Sequence, residues 1–107
     1  MKNSEFVANY FEALNSKQVE KQIAYFGEEA TVLDVDETFK GKAEIERWIN
    51  ESHSKFEAFS KVIDVKTSGP IVKVLTTVSG NFPGSPVDLQ YDFIMLNEKI
   101  KSLEIKL

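Results

Sequence analysis

Cysteine is absent from the 107 residues, which excludes disulfides, thiolate nucleophiles and Cys-ligated zinc. It also fits a reducing compartment. Histidine occurs once, at His53, and arginine once, at Arg47. A lone histidine without cysteine argues against a zinc site. No apolar run approaches the length of a membrane span, and the opening MKNSEFVANYF lacks the apolar core of a signal peptide. Basic excess is absent too: 13 Lys and Arg stand against 17 Asp and Glu, a net charge of −4. There is no basic patch of the kind that binds nucleic acid, and little to attract an anionic membrane. The expectation is a cytoplasmic protein whose partners include neither nucleic acid nor membrane.

What is present is an ordinary globular composition. Apolar residues make up 42% and aromatic residues 11%, enough for one core, and the length suits one domain over residues 1–107. The five glycines and three prolines fall where elements should break. Phe6, Val7, Tyr10, Phe11 and Leu14 recur at helical spacing, which predicts a first helix over 4–14. Asn15 and Ser16 are positioned to cap a second helix carrying Val19, Ile23, Ala24 and Phe26, with Gly27 as its terminator. A short strand follows from Ala30. A turn then leads, past Gly41, to a third helix over about 42–53 with Ile45, Trp48, Ile49 and Ser52 on its inner stripe.

Four runs rich in Val, Ile, Phe and Thr, at 59–67, 71–79, 87–96 and 100–107, read as strands. The order α-α-β-α-β-β-β-β predicts an α+β fold with a mostly antiparallel sheet. In the run 87–96, Val87, Leu89, Tyr91, Phe93 and Met95 share the face that should meet the helices. The half-polar opposite face suits a dimer interface.

The segment ATVLDVDETFKG, from Ala30 to Gly41, carries the first chemical signal. Alternation sends Thr31, Leu33 and Val35 one way and Val32, Asp34 and Asp36 the other. Carboxylates on one strand face meet either solvent or a pocket.

Three strings carry a resemblance. VANYFEALNSKQVEKQIAYFGEEATVLD, FKGKAEIERWI and VDLQYDFIMLNEKIKSLEI, in this order and spacing, resemble the nuclear transport factor 2-like superfamily in its SnoaL-like branch. The resemblance implies a curved, cone-shaped antiparallel sheet packed on three N-terminal helices, the cystatin-like arrangement. The hollow of the cone is often a pocket, and many members pair through the convex sheet face as homodimers. Members include ketosteroid isomerases, polyketide cyclases, dehydratases, epoxide hydrolases and binding proteins, so the fold does not choose a function.

In the ketosteroid isomerase group a strand aspartate moves a proton next to a carbonyl, while a tyrosine and a protonated aspartic acid hold the enolate oxygen. The string ATVLD matches Asp34 to the base, and VANYFEALN matches Tyr10 to the tyrosine. In QYDF, Tyr91 takes the position of the protonated acid, with Asp92 beside it, and Ile49 replaces a tyrosine near the end of the third helix. An epoxide hydrolase of this fold would want an Asp-Arg-Asp set. Arg47 reads as solvent-facing, which counts against that chemistry.

The resemblance thus implies Asp34 and Tyr10 as catalytic residues. Trp48, Tyr91, Phe93, Phe59 and Val32 would shape an apolar cavity for a small apolar or carbonyl-containing ligand, with neither cofactor nor metal. An aspartate desolvated in such a cavity is a better proton acceptor near neutral pH. The bland alternatives are a solvated strand-end aspartate at Asp34, a packing tyrosine with its hydroxyl at the surface at Tyr10, and a helix-end histidine at His53. Three functions stay open at this point. They are cofactor-free isomerisation or cyclisation, passive carriage of an apolar ligand, and an interaction module whose interior is filled by bulky side chains.

Overall fold

A computed structural model describes residues 2–55 and 57–107. Helix α1 (Asn3–Asn15) and the five-residue α2 (Val19–Ile23) precede strand β1 (Phe26–Asp34). A short β2 (Glu37–Lys40) and helix α3 (Lys42–Lys55) come next. Four strands complete the chain: β3 (Ala58–Ser68), β4 (Ile71–Gly80), β5 (Val87–Leu96) and β6 (Lys99–Lys106). The predicted order stands, with β2 added where the sequence reads as a turn.

The six strands form one curved, open sheet in the order β2-β1-β6-β5-β4-β3. All neighbours are antiparallel except β1 and β6, which are parallel. Register irregularities between Val62 and Asp64 and between Ile94 and Met95 interrupt the ladders, and such bulges sharpen bend and twist. Among the described residues no helix is long and apolar enough to cross a membrane.

The concave face carries the core. Val32, Val72, Val74 and Phe93 are fully buried there, and Phe6, Tyr10 and Phe11 of α1 pack down onto them. Phe93 is edge-on to Phe6 and Tyr10 with ring centroids 5.2 Å away in each case. Phe11 meets Tyr91 edge-on at 5.0 Å. Such pairs add roughly 0.5–1.5 kcal/mol each beyond the area they bury. The inward set of β5 is the one that alternation predicts.

Two helix ends differ from expectation. Gly27 does not terminate α2. Phe26 and Gly27 already belong to β1, because Phe26 pairs with Ile100 and the Ile100 N–H donates to the Tyr25 carbonyl at 2.8 Å. Nor does Asn15 cap α2. Its amide donates to the Ser60 carbonyl at 2.9 Å and accepts from the Ser60 N–H at 2.8 Å. β3 is an edge strand, so this side chain stands in for a missing neighbour and ties α1 to the sheet. Ser16 turns back to the Glu12 carbonyl instead of reaching forward.

Asp36 is the third correction. The strand ends at Asp34, and the chain turns through Val35 and an exposed Asp36, so Asp34 and Asp36 do not share a face. Val35 sits at φ 58°, a region that strongly disfavours a β-branched residue. Its N–H is held by the Ile105 carbonyl at 2.9 Å. The Val35 side chain is 55% exposed, so little packing opposes relief of this strain. Val35→Asn is expected to stabilise the fold by about 1 kcal/mol, read as a higher denaturation midpoint in urea. An unchanged or lower midpoint would show that the turn stores no such strain.

Candidate functional site

A cavity of about 540 Å³ lies between the helices and the concave sheet face. Its helical wall is Leu14, Gln22 and one stripe of α3, namely Trp48, Ile49, Ser52 and His53. Its sheet wall holds Asp34, Ser60, Leu89, Tyr91 and Ile105, and Phe82 and Pro83 reach it from the β4–β5 connection. An interior filled by bulky rings is therefore not what the chain builds.

The sheet register explains why Asp34 faces this space. Asp34 pairs with Ile105 across β1 and β6, and Ile105 pairs with Tyr91 across β6 and β5. The three side chains form one row on the concave face, with Asp34 and Tyr91 two strand spacings apart, about 10 Å between backbones. Curvature then tilts the two side chains toward each other.

Asp34 Oδ2 accepts a hydrogen bond from the indole Nε1–H of Trp48 at 3.0 Å. Asp34 has no ion-pair partner among the described residues, where Lys42 pairs with Glu28 and Lys106 with Asp92. Trp48 is itself steadied by Phe39, with ring centroids 5.9 Å apart. The carboxylate is thus aimed by one neutral donor and keeps Oδ1 free of protein partners among the described residues. Burial pushes the Tyr91 phenol well above its ordinary pKa, and the negative charge of Asp34 pushes it further, with the Ser60 side chain opposing. Tyr91 therefore stays a neutral O–H donor at any physiological pH.

The remaining predicted residues separate into two groups. Tyr10, Val32 and Phe93 are fully buried and form the packed layer behind the cavity. The Tyr10 hydroxyl neither meets solvent nor reaches Asp34; it accepts from Gln22 Nε2 at 3.1 Å. Phe59 is the clear correction. It is 57% exposed on the outer face of β3, while its neighbours Ala58 and Ser60 line the cavity. The alternation of β3 puts the small residues inside and the ring outside.

Gln22 and His53 also belong to the cavity wall, Gln22 unmarked by any sequence motif. Gln22 is 2% exposed. Besides contacting Tyr10, its Oε1 lies 2.9 Å from His53 Nε2. The sequence does hold a signal: Gln22 sits three residues after Val19 on an apolar helical stripe, a polar residue where burial is expected. No group of three or more His, Cys, Asp or Glu residues that could hold a metal occurs among the described residues.

A curved sheet over three helices around such a cavity is the nuclear transport factor 2-like fold. No protein-family model matches the chain, and no curated protein matches it in sequence. Solved structures do match. A candidate polyketide cyclase from Sinorhizobium meliloti is 29% identical at a TM-score of 0.91, over 95% of this chain and 94% of that one. A cystatin-fold protein from Novosphingobium aromaticivorans aligns at a TM-score of 0.87 and 17% identity, over 100% of this chain and 99% of the other. A ketosteroid isomerase-like fold from Catenulispora acidiphila, solved with trimethylamine, gives 0.87 and 16%, over 99% and 87%. The chain has the nuclear transport factor 2-like, cystatin-like fold, and these neighbours support the superfamily resemblance read from its sequence.

Burial, and then the positive charge of Lys17, lower the His53 pKa below its ordinary value. In that window the unfolded chain binds more protons than the folded one, so stability rises with pH through it. Thermal melts are expected to be level above the ordinary histidine value of about 6.5 and to fall as pH drops below it. His53→Gln should flatten that part of the curve, and a slope unchanged in this variant would assign it to other groups.

Proposed function

We propose that this protein moves a proton on a carbon next to a carbonyl, without a cofactor, with Asp34 as the base. The observation that carries the reading is the Trp48–Asp34 hydrogen bond at the wall of a largely apolar cavity. A carboxylate free to accept a proton must be oriented without being neutralised, and an indole N–H does this where a lysine or arginine would not. Asp34 takes the α-hydrogen as a proton. The C–H electron pair becomes the new C=C bond of an enolate, and the negative charge moves to oxygen. Tyr91, in the same sheet row two strands away, is the donor we assign to that oxygen. The reverse transfer from the Asp34 carboxylic acid to a different carbon completes an isomerisation. Tyr10 is fully buried behind Gln22 and takes no part in this step. Similarity to a candidate polyketide cyclase at 29% identity supports a small-molecule reaction in this cavity.

The apolar lining supports a second reading, a carrier that binds an apolar ligand without turnover. One experiment separates the two: deuterium exchange at the α-positions of a panel of cyclic enones and ketones, followed by NMR, alongside thermal melts with each compound. Saturable exchange is expected. Asp34→Asn should reduce it by about 100-fold or more and Tyr91→Phe by about 100-fold, both with the fold intact. Stabilisation by a ligand without exchange selects the carrier, and exchange untouched by Asp34→Asn removes Asp34 as the base.

We also assign a second copy of the chain to the outer sheet face, where Leu75 and Ile94 are 39% and 38% exposed close to the Lys106–Asp92 ion pair at 3.1 Å. Sedimentation equilibrium is expected to give a dimer that Leu75→Asp weakens. A wild-type chain that sediments as a monomer at roughly 100 μM, about 5.5 kcal/mol of association free energy, would remove this assignment.

A further inference from the structure

Three polar side chains from three helices meet at the helical wall of the cavity, and the proton-transfer reading above does not use them. Tyr10 of α1 is fully buried and Gln22 of α2 is 2% exposed. His53 of α3 lines the cavity. Gln22 joins the other two, with Nε2 donating to the Tyr10 hydroxyl at 3.1 Å and Oε1 lying 2.9 Å from His53 Nε2. An amide oxygen only accepts. With the Gln22 oxygen on this side, His53 Nε2 carries the hydrogen, and in the neutral ring Nδ1 holds the lone pair. An apolar residue at position 22 would leave both the buried Tyr10 hydroxyl and His53 Nε2 without this partner. The buried amide instead selects one tautomer of the one imidazole in the cavity.

We propose that His53 is a second ligand-contacting residue of this cavity, an acceptor for a ligand hydroxyl, and that Gln22 is the positioning residue that fixes its tautomer. The claim rests on the reading of this cavity as the ligand site. It narrows the substrate class to hydroxylated cyclic ketones. Trp48, which holds Asp34, and His53 both line the cavity from α3, five residues and about 7.5 Å apart along the helix axis. The ligand hydroxyl should therefore lie at a comparable distance from the carbon that meets Asp34, the span of a fused two-ring ketone. The other titratable groups around the imidazole are Lys17 from the α1–α2 connection, Tyr10 behind Gln22, and Asp34 and Tyr91 on the facing sheet wall. None of them competes for Nδ1 through a hydrogen bond among the described residues.

The test uses the full chain, whose single histidine makes its ¹⁵N imidazole signals unambiguous. At a pH where the ring is neutral, the wild type should show only the Nε2–H tautomer. Gln22→Leu should give a mixture, and Gln22→Glu, which keeps an acceptor, should restore the single form even if the leucine variant folds poorly. The ligand probes are a tetralone hydroxylated para to its carbonyl, the parent tetralone and the methoxy analogue. The hydroxylated ketone should bind about tenfold more tightly than the other two, the weight of one hydrogen bond, and should shift the His53 signals. His53→Phe should abolish the preference. A mixed or Nδ1–H wild-type tautomer, or equal binding of the three ketones, overturns the proposal. Hydroxyl discrimination through His53 without α-exchange would sustain it while removing proton transfer at Asp34, so the two readings fail separately.

Discussion

The parallel pairing of β1 with β6 is the constraint on which the site depends. Every other strand contact in the sheet is antiparallel. β1 must run beside β6 in the same direction, in a register that sets Asp34 level with Ile105 and so with Tyr91. A one-residue slip would turn Asp34 to the outer face and bring Leu33 inward, since side chains alternate with period two. The burial of Val32, two residues earlier on the same face and level with Leu103, opposes that slip. The hydrophobic core therefore fixes the position of the one carboxylate in the cavity wall.

The same economy holds for the rest of the wall. Asp34 is met by Trp48, and Gln22 is satisfied by Tyr10 and His53. The backbone of Ser60 is satisfied by Asn15. No buried side-chain nitrogen or oxygen among the described residues lacks a partner. The polar groups are thus held in place by folding itself, before any ligand arrives. Preorganisation of this kind is what makes a few dipoles effective in a low-dielectric site.

What the sequence disclosed follows from how local each determinant is. The inward faces of α1 and β5 are written in their own periodicities, so Tyr10 and Phe93 are readable as interior and Tyr91 as facing the helices. Asp34 is readable because Val32 fixes the sense of its strand. Phe59 is misleading because β3 is an edge strand whose inner positions, Ala58 and Ser60, are small, so the largest apolar side chain nearby is not the buried one. The role of Asn15 depends on Ser60, 45 residues away. Gln22 depends on Tyr10 at a separation of 12 and on His53 at 31. Pairings at such distances have no signature in a linear pattern. Only the oddity of a polar residue on an apolar stripe hints at them.

The distribution of charge gives these placements a direction. On the outer face opposite charges are matched, as Asp92 is by Lys106, and the carboxyl of Asp92 is held below its ordinary range by Gln90 and Lys106 against the opposing effect of burial. Inside, the chain does the reverse. Asp34 has no cation within ion-pair distance among the described residues, and its carboxylate accepts instead from the neutral indole of Trp48. The nearest other ionisable groups on the cavity wall are a phenol and an imidazole, both displaced toward their neutral forms, chiefly by burial. A cavity built only to be stable would match its carboxylate or replace it with an apolar residue. One that keeps a single oriented carboxylate among neutral donors and acceptors leaves that anion's counterpart to be supplied by whatever enters.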